Sequence, residues 1–301
     1  MEHENLFVSG HRACQGCGVA LAVRHILKAT GKNVIVVTPT GCLETFSSPG
    51  EYSPWMVPWI HHLFENGPSI ATGIAAALKA QKKEDVRVVV IGGDGSTFDI
   101  GFGALSGMLE RGDDVLYVCV DNGAYMNTGG QRSGATPTYA ATTTHPAGKG
   151  SPGKTERKKD LPAIVAAHNI PYVATASVAY LKDLQKKVKK AMTYTGPRYI
   201  QIDTPCPSVW GFPSQYTLEI ARNGVNSGLT PLFEMENGVI TSVHKISKPA
   251  SVEDYLKPQK RFRHLLKGDG DNAELQKIKE FASFNIGKYG LTKERQSART
   301  S

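Results

Sequence analysis

The chain reads as an α/β protein, a mostly parallel sheet with helices on both faces and a C-terminal extension, on three observations. Short β-branched runs alternate with longer stretches of helical period through the first two thirds of the sequence. The runs VIVV, VVVI and VLYVCV are apolar throughout, which suits strands covered on both faces. Turns bearing glycine, proline or asparagine follow the runs, as expected where strand-helix-strand units repeat.

Taken in order, the pattern predicts a helix over 19–30, a strand over 33–38, a helix over 68–81 and a strand over 87–92. A helix over 98–111 leads to a strand over 115–121. Further on come a helix over 161–168, a strand over 172–175, a helix over 179–193 and a strand over 199–203. In the helix over 179–193, Leu181, Leu184, Val188 and Met192 share one face while Lys182, Lys186, Lys187 and Lys190 point elsewhere, so that stripe is core. Residues 122–159, rich in Gly, Thr and Pro, form a long segment of the kind that is usually functional or poorly ordered. Beyond Cys206 the alternation weakens and prolines punctuate the chain. The expected division is a binding domain over 1–214 and an extension over 215–301 that wraps something and serves subunit contacts.

With 301 residues, 40% hydrophobic and 21% charged, the composition excludes a disordered or collagen-like chain. No apolar run approaches the about 20 residues of a membrane span, and the N-terminus lacks the features of a secretory signal, so the chain is read as cytoplasmic. Its net charge of +8 is uneven: residues 1–148 hold 10 basic and 13 acidic side chains, leaving 25 and 14 for residues 149–301. The basic half carries no interleaved stacking aromatics and no nucleic-acid motif, which points to a solvated face or an acidic protein partner and away from nucleic acid. Five cysteines are an odd number and too few for a disulfide framework, leaving metal binding, catalysis or packing.

Two constellations carry chemistry. Gly92-Gly93-Asp94-Gly95-Ser96 follows the strand over 87–92 and precedes a helix, so glycines let the backbone approach a diphosphate while Asp94 offers a hard oxygen to Mg²⁺. After the next strand stands Asp121-Asn122-Gly123-Ala124-Tyr125, where Asn122 and the Ala124 carbonyl add two more oxygens. Both lie at the C-terminal ends of parallel strands, where open α/β sheets bind ligands. The second constellation is Cys14-Gln15-Gly16-Cys17, then Thr40-Gly41-Cys42, then Thr204-Pro205-Cys206-Pro207. A single C-x-x-C serves zinc, redox chemistry or iron and sulfur alike, but three segments meeting at one sheet end can place four thiolates around one [4Fe–4S] cluster. Cys119, inside a strand, is a small buried hydrophobe. His61, His62 and Glu65 do not have the spacing of a helix-borne zinc motif. Lys149, Lys154, Arg157, Lys158 and Lys159 read as a solvated loop, with a CoA phosphate or an acidic partner as the alternative.

GDG followed by Asn122 resembles the thiamine diphosphate signature. Together with residues 11–18, Pro39 to Cys42, Trp55 to Asn66, Asn127-Thr128-Gly129-Gly130-Gln131 and Thr204 to Pro207, it resembles the thiamine-binding β subunit of pyruvate:ferredoxin oxidoreductase and its 2-oxoacid relatives, over residues 9–215. The resemblance implies the thiamine diphosphate-binding fold, with Cys14, Cys17, Cys42 and Cys206 on a [4Fe–4S] cluster and Asp94, Asn122 and Ala124 on Mg²⁺. It implies that Gly41, Cys42, Phe64, Gly93 and Gly95 line the cofactor and that Asn127 acts in catalysis. Val19 departs from the pattern, since some relatives carry there a Glu that contacts the aminopyrimidine.

The implied activity is oxidative decarboxylation of a 2-oxoacid, pyruvate favoured, with CoA taking the acyl group and ferredoxin the electrons. Oxalate, branched-chain and aromatic 2-oxoacids are alternatives within the family. The chain has neither room for a second, pyrimidine-binding module nor a ferredoxin cysteine run, so pyrimidine-binding (alpha), gamma and ferredoxin-like delta subunits are expected to complete the enzyme. Two rivals remain: a non-redox thiamine decarboxylase subunit with structural zinc, and a non-catalytic electron-transfer or assembly subunit.

Overall fold

The computed structural model describes residues 5–48, 53–83, 85–266 and 272–292. In chain order its elements are α1 (Gly18–Thr30), β1 (Val34–Pro39), α2 (Cys42–Ser47), β2 (Trp59–His62), α3 (Gly67–Ala80) and β3 (Arg87–Gly93). A π-helical turn (Gly95–Ile100), α4 (Phe102–Glu110) and β4 (Val115–Asp121) follow, then the two-residue strands β5 (Ala147–Gly148) and β6 (Ser151–Pro152). Next come α5 (Leu161–Ala166), β7 (Tyr172–Ser177), α6 (Leu181–Ala191), β8 (Arg198–Asp203), α7 (Pro207–Trp210) and a 3-10 turn (Ser214–Tyr216). The chain ends with α8 (Thr217–Asn226), β9 (Phe233–Glu236), β10 (Val239–Val243), α9 (Val252–Leu256), a second 3-10 turn (Lys260–Leu266) and α10 (Ala273–Tyr289).

Eight strands form one sheet in the order β10-β9-β7-β8-β4-β3-β1-β2. Pairing is parallel from β7 through β2 and antiparallel only where β9 joins β7 and β10 joins β9. Alternate strand residues separate two cores. Val89, Ile91, Leu116, Val118 and Val120 face α1, α2 and α6, whereas Val88, Val90, Val115, Tyr117 and Cys119 face α3, α4 and α5. Cys119 is fully buried among the second set, in keeping with a packing role. All five expected strands are present, and helices cover both faces as expected.

Four features differ from expectation. The helix over 98–111 is split, because the chain leaves β3 through the π-helical turn before α4 begins. Strand β2 escapes a periodicity reading because its four residues are polar or half exposed, on the sheet edge. The hairpin β9–β10 did carry a signal: Asn237-Gly238 joins the strands, both at positive φ (49° and 78°), as two-residue hairpin turns require. Finally, the segment beyond 214 returns to its own chain. Beside adding β9 and β10 to the sheet, it packs Ile220, Val252, Tyr255, Leu256, Phe262 and Ile278 against Ala124, Met126, Tyr139 and Ala140, covering the long segment 122–159.

Candidate functional site

The parallel strands β1, β3, β4 and β8 all end at the same edge of the sheet, so the segments that follow them become neighbours. Register fixes this closely: Gly93 lies opposite Val120, and Asp121 opposite Asp203.

After β3 the backbone makes the widened turn over 95–100, with the Ser96 and Thr97 hydroxyls donating to the Gly93 carbonyl at 2.9 and 2.6 Å. π-turns of this kind recur at functional sites. Gly95 is required by contact: a Cβ there would lie 2.5 Å from the Tyr125 ring. The Tyr125 hydroxyl in turn donates to Asp99 Oδ2 at 3.2 Å.

Asp94 is buried, 1% exposed. Ser133 Oγ donates to its Oδ2 at 2.5 Å, and the Asn122 backbone N–H lies 3.4 Å from its Oδ1. Burial, then the nearby Asp121 charge, pushes the Asp94 carboxyl well above the usual carboxylate range. The Asn122 side-chain amide lies 2.9 Å from both the Ala124 carbonyl oxygen and Asp94 Oδ1 and, with its NH₂ turned toward them, donates to both. Separations of that size are those found between neighbouring ligands of an octahedral Mg²⁺, whose bonds of about 2.1 Å put adjacent oxygens about 3.0 Å apart, so the donor set suits such a cation.

Around this point one cleft gathers Val19, Thr40, Gly41, Cys42, Phe64, Gly93, Asp94, Gly95, Asn122, Ala124 and Asn127. Every residue expected to line the cofactor is in it. Phe64 packs against Tyr125 with ring centroids 5.7 Å apart. Thr40 is tied to a neighbour not expected at the site, since its hydroxyl lies 3.0 Å from His61 Nε2. His62 pairs instead with Asn66 at 3.3 Å.

A second cavity, of about 350 Å³, is lined by Cys14, Cys17, Cys42 and Cys206 together with Arg12, Thr45 and Pro205. Val19, Cys42, Asn122 and Asn127 line both cavities, which therefore share a wall. The Cys14–Cys17 turn is clamped from far along the chain. Thr217 Oγ1 donates to the Gly16 carbonyl at 2.8 Å, and Gly18 N–H to the Pro205 carbonyl at 3.3 Å. A Cβ on Gly16, which has φ +73°, would meet the Ser214 carbonyl at 2.6 Å. Burial, and then the neighbouring sulfurs, push the Cys17 thiol up to about 11 and the Cys42 thiol up to about 12. The four thiols are free of disulfides. Among the described residues, however, no three His, Cys, Asp or Glu side chains are grouped closely enough to hold a single metal ion.

Several residues at the site had no sequence signal. Asp121 accepts from the Gly123 N–H (3.1 Å), from Gln201 Nε2 (2.9 Å) and from Lys158 Nζ. Burial raises Asp203 to about 7, with Asp121 adding to it. The expectation that the lysines flanking the long segment are solvated needs correction for two of them, Lys154 and Lys158. Lys158 binds Asp121; Lys159, with its Nζ 3.1 Å from Asp99 Oδ1, remains exposed. Lys154 is fully buried, donates to the Thr136 carbonyl at 2.8 Å and is pushed down to about 8 by burial. Lys149 and Arg157 are exposed, Arg157 against the Phe281 ring.

Residues 39–202 match the family described as thiamine pyrophosphate enzyme, C-terminal TPP binding domain. The chain is 55% identical to the pyruvate synthase subunit PorB of Methanosarcina barkeri, over 94% of this chain and 96% of that one. It is 46% identical to the ketoisovalerate oxidoreductase subunit VorB of Pyrococcus abyssi, over 88% of each. Among solved structures, a chain of the 2-oxoglutarate:ferredoxin oxidoreductase of Magnetococcus marinus has the same fold, with a TM-score of 0.58 at 22% identity over 92% of this chain and 96% of that one. Among the described residues no helix is long and apolar enough to cross a membrane. The chain belongs to the thiamine diphosphate-binding β subunits of the 2-oxoacid:ferredoxin oxidoreductase family.

Proposed function

We propose that this subunit serves a pyruvate:ferredoxin oxidoreductase, holding Mg²⁺ through Asp94, Asn122 and the Ala124 carbonyl and a [4Fe–4S] cluster through Cys14, Cys17, Cys42 and Cys206. The observation that carries the reading is the meeting of Asp94, the Asn122 amide and the Ala124 carbonyl inside the cleft that also holds Gly41, Phe64 and Asn127. Four thiols lining one cavity supply the four ligands a [4Fe–4S] cluster takes. Pyruvate is favoured by the relative of highest identity above, and the VorB relative supports a branched-chain 2-oxoacid as the second reading.

When bound, thiamine diphosphate would supply the nucleophilic carbon for decarboxylation of a 2-oxoacid, and the cluster a one-electron acceptor. The chain's own part is positional. Asp94, pinned by Ser133, presents one oxygen to the metal; Gly95 and Tyr125 shape the floor; and Val19 and Phe64 exclude water from the cleft. Asn127 faces both cavities, which suits a donor to the substrate carboxylate or carbonyl. The pyrimidine-side carboxylate and the outer clusters are assigned to alpha, gamma and ferredoxin-like delta subunits, CoA to the acyl transfer, and ferredoxin to electron removal. Residues 215–301 keep Phe281 and Phe284 exposed on α10, a surface for subunit contact.

The test is to express the chain with and without its neighbouring subunits under anoxia and assay a panel of 2-oxoacids with CoA and a dye acceptor. Turnover is expected only from the complex, with pyruvate preferred. Equal turnover by the isolated chain, or indifference to thiamine diphosphate, would sink the reading.

A further inference from the structure

Arg261 is 6% exposed, yet among the described residues it makes no ion pair. A buried guanidinium in that condition needs a reason. Its Nε donates to Gln259 Oε1 at 2.8 Å and its Nη2 to the Tyr255 hydroxyl at 3.2 Å, both within the C-terminal extension. The plane of charge points the other way, toward the site. Its central carbon lies 3.6 Å from the centre of the Trp210 ring. Nη1 stands 3.2 Å from where a Cβ on Gly123 would be, a tight approach, at a position whose φ of +78° favours glycine. Besides Tyr255, the acidic groups whose fields reach it are Asp203 and Asp121 at the end of the sheet.

Trp210 is itself buried, and it has two attachments. Its backbone N–H donates to the Cys206 carbonyl at 3.0 Å, and its indole N–H donates to the Asn122 carbonyl at 2.7 Å. The Arg261 carbonyl meanwhile accepts the Ala141 N–H at 2.9 Å, fastening the long segment 122–159. One residue of the extension thus reaches the cysteine turn, the loop after β4 and the long segment together.

We infer that Arg261 is a positioning residue for metal binding: stacked on Trp210, it holds the indole that fixes the Asn122 backbone, and thereby the face of oxygens formed by Asp94, Asn122 and Ala124. The inference rests on the reading of those three as Mg²⁺ ligands. Asn122 is held from both sides, its carbonyl by Trp210 and its N–H toward Asp94, so its side chain has little freedom left. Stacking by a planar cation is what arginine supplies and lysine does not.

The test uses the complex with its partner subunits, stripped of metal, with Mg²⁺ titrated at saturating thiamine diphosphate by calorimetry and melting followed in parallel. Arg261→Met is expected to weaken Mg²⁺ binding at least tenfold, with Arg261→Lys recovering less than half of the loss. Trp210→Phe keeps a ring for stacking and removes the N–H, and is expected to show the same Mg²⁺ defect with little change in melting. Asp94→Ala serves as the reference. If it loses Mg²⁺ while Arg261→Met and Trp210→Phe bind like wild type, the inference about Arg261 fails and the site stands. Wild-type Mg²⁺ affinity in Asp94→Ala overturns the site itself, and the inference with it. Should Arg261→Met not fold, Trp210→Phe decides alone: normal Mg²⁺ affinity there overturns the inference.

Discussion

The oxygen face and the thiol cavity stand side by side at one edge of the sheet, and the chain builds them in opposite ways. The oxygens come from the ends of β3 and β4, adjacent strands in fixed register, and the Asn122 amide already sits 2.9 Å from both Asp94 Oδ1 and the Ala124 carbonyl. The thiols come from two turns and the start of a helix, and they line one cavity. Ligands carried by neighbouring strands are preorganised by the sheet hydrogen bonds. Ligands carried by separate turns have their final geometry set by the group they hold, and binding and local folding become one event.

That contrast can be broken experimentally, and the largest effect is expected at the thiols. Cys206→Ala should abolish the broad visible absorbance of the anaerobically purified complex, whereas Cys119→Ala, buried among β3, β4 and α4 side chains, should keep it. An unchanged spectrum in Cys206→Ala rules out its ligand role.

The preorganised side should show its strain in a pH profile of the metal-free protein. Asp203 is raised to about 7, and Asp94 is raised as well, chiefly by burial. Between about pH 4 and 7 the folded chain therefore holds protons that the unfolded chain has released, so stability falls as pH rises through that window. Melting temperature should drop by several degrees from pH 5 to pH 8, on the order expected for a few kcal/mol in a chain of this size. Asp94→Asn should flatten part of the slope, and so should Mg²⁺ with thiamine diphosphate. A profile identical in wild type and Asp94→Asn would show that the Asp94 carboxylate is not strained.

The smallest effect sharpens the shape of the floor. Gly95→Ala forces a Cβ to 2.5 Å from the Tyr125 ring, so Tyr125 must shift and loosen its bond to Asp99. Overpacking of this kind costs about 1–3 kcal/mol. Calorimetry should find thiamine diphosphate binding weakened while the visible absorbance of the anaerobic complex stays intact, and loss of both would mean that the two cavities are not separable.

The site was legible in the sequence to the extent that its residues sit where strands end. Asp94, Asn122 and Ala124 follow apolar runs that had to be buried strands, and parallel strands bring their C-terminal ends together. Cys42 and Cys206 could be grouped on the same ground. Ser133, Lys158 and Arg261 could not, because they belong to irregular segments whose path is fixed by tertiary packing and not by period. Nor could β2 be read, its residues being polar enough for an edge. The hairpin β9–β10 was a different case, since Asn237-Gly238 stated the turn plainly amid a stretch whose prolines drew the reading elsewhere.

The clamp between Thr217 and Gly16 has a consequence for the life of the protein. A nascent chain presents Cys14 and Cys17 to the cell long before it can enclose them, because the hydroxyl that fastens their turn is made about two hundred residues later. At about 5–20 residues per second the ribosome needs roughly 10–40 s to cover that distance. Through that interval the two thiols lack the clamp, and the turn that carries them takes its final form only after Thr217 has left the ribosome.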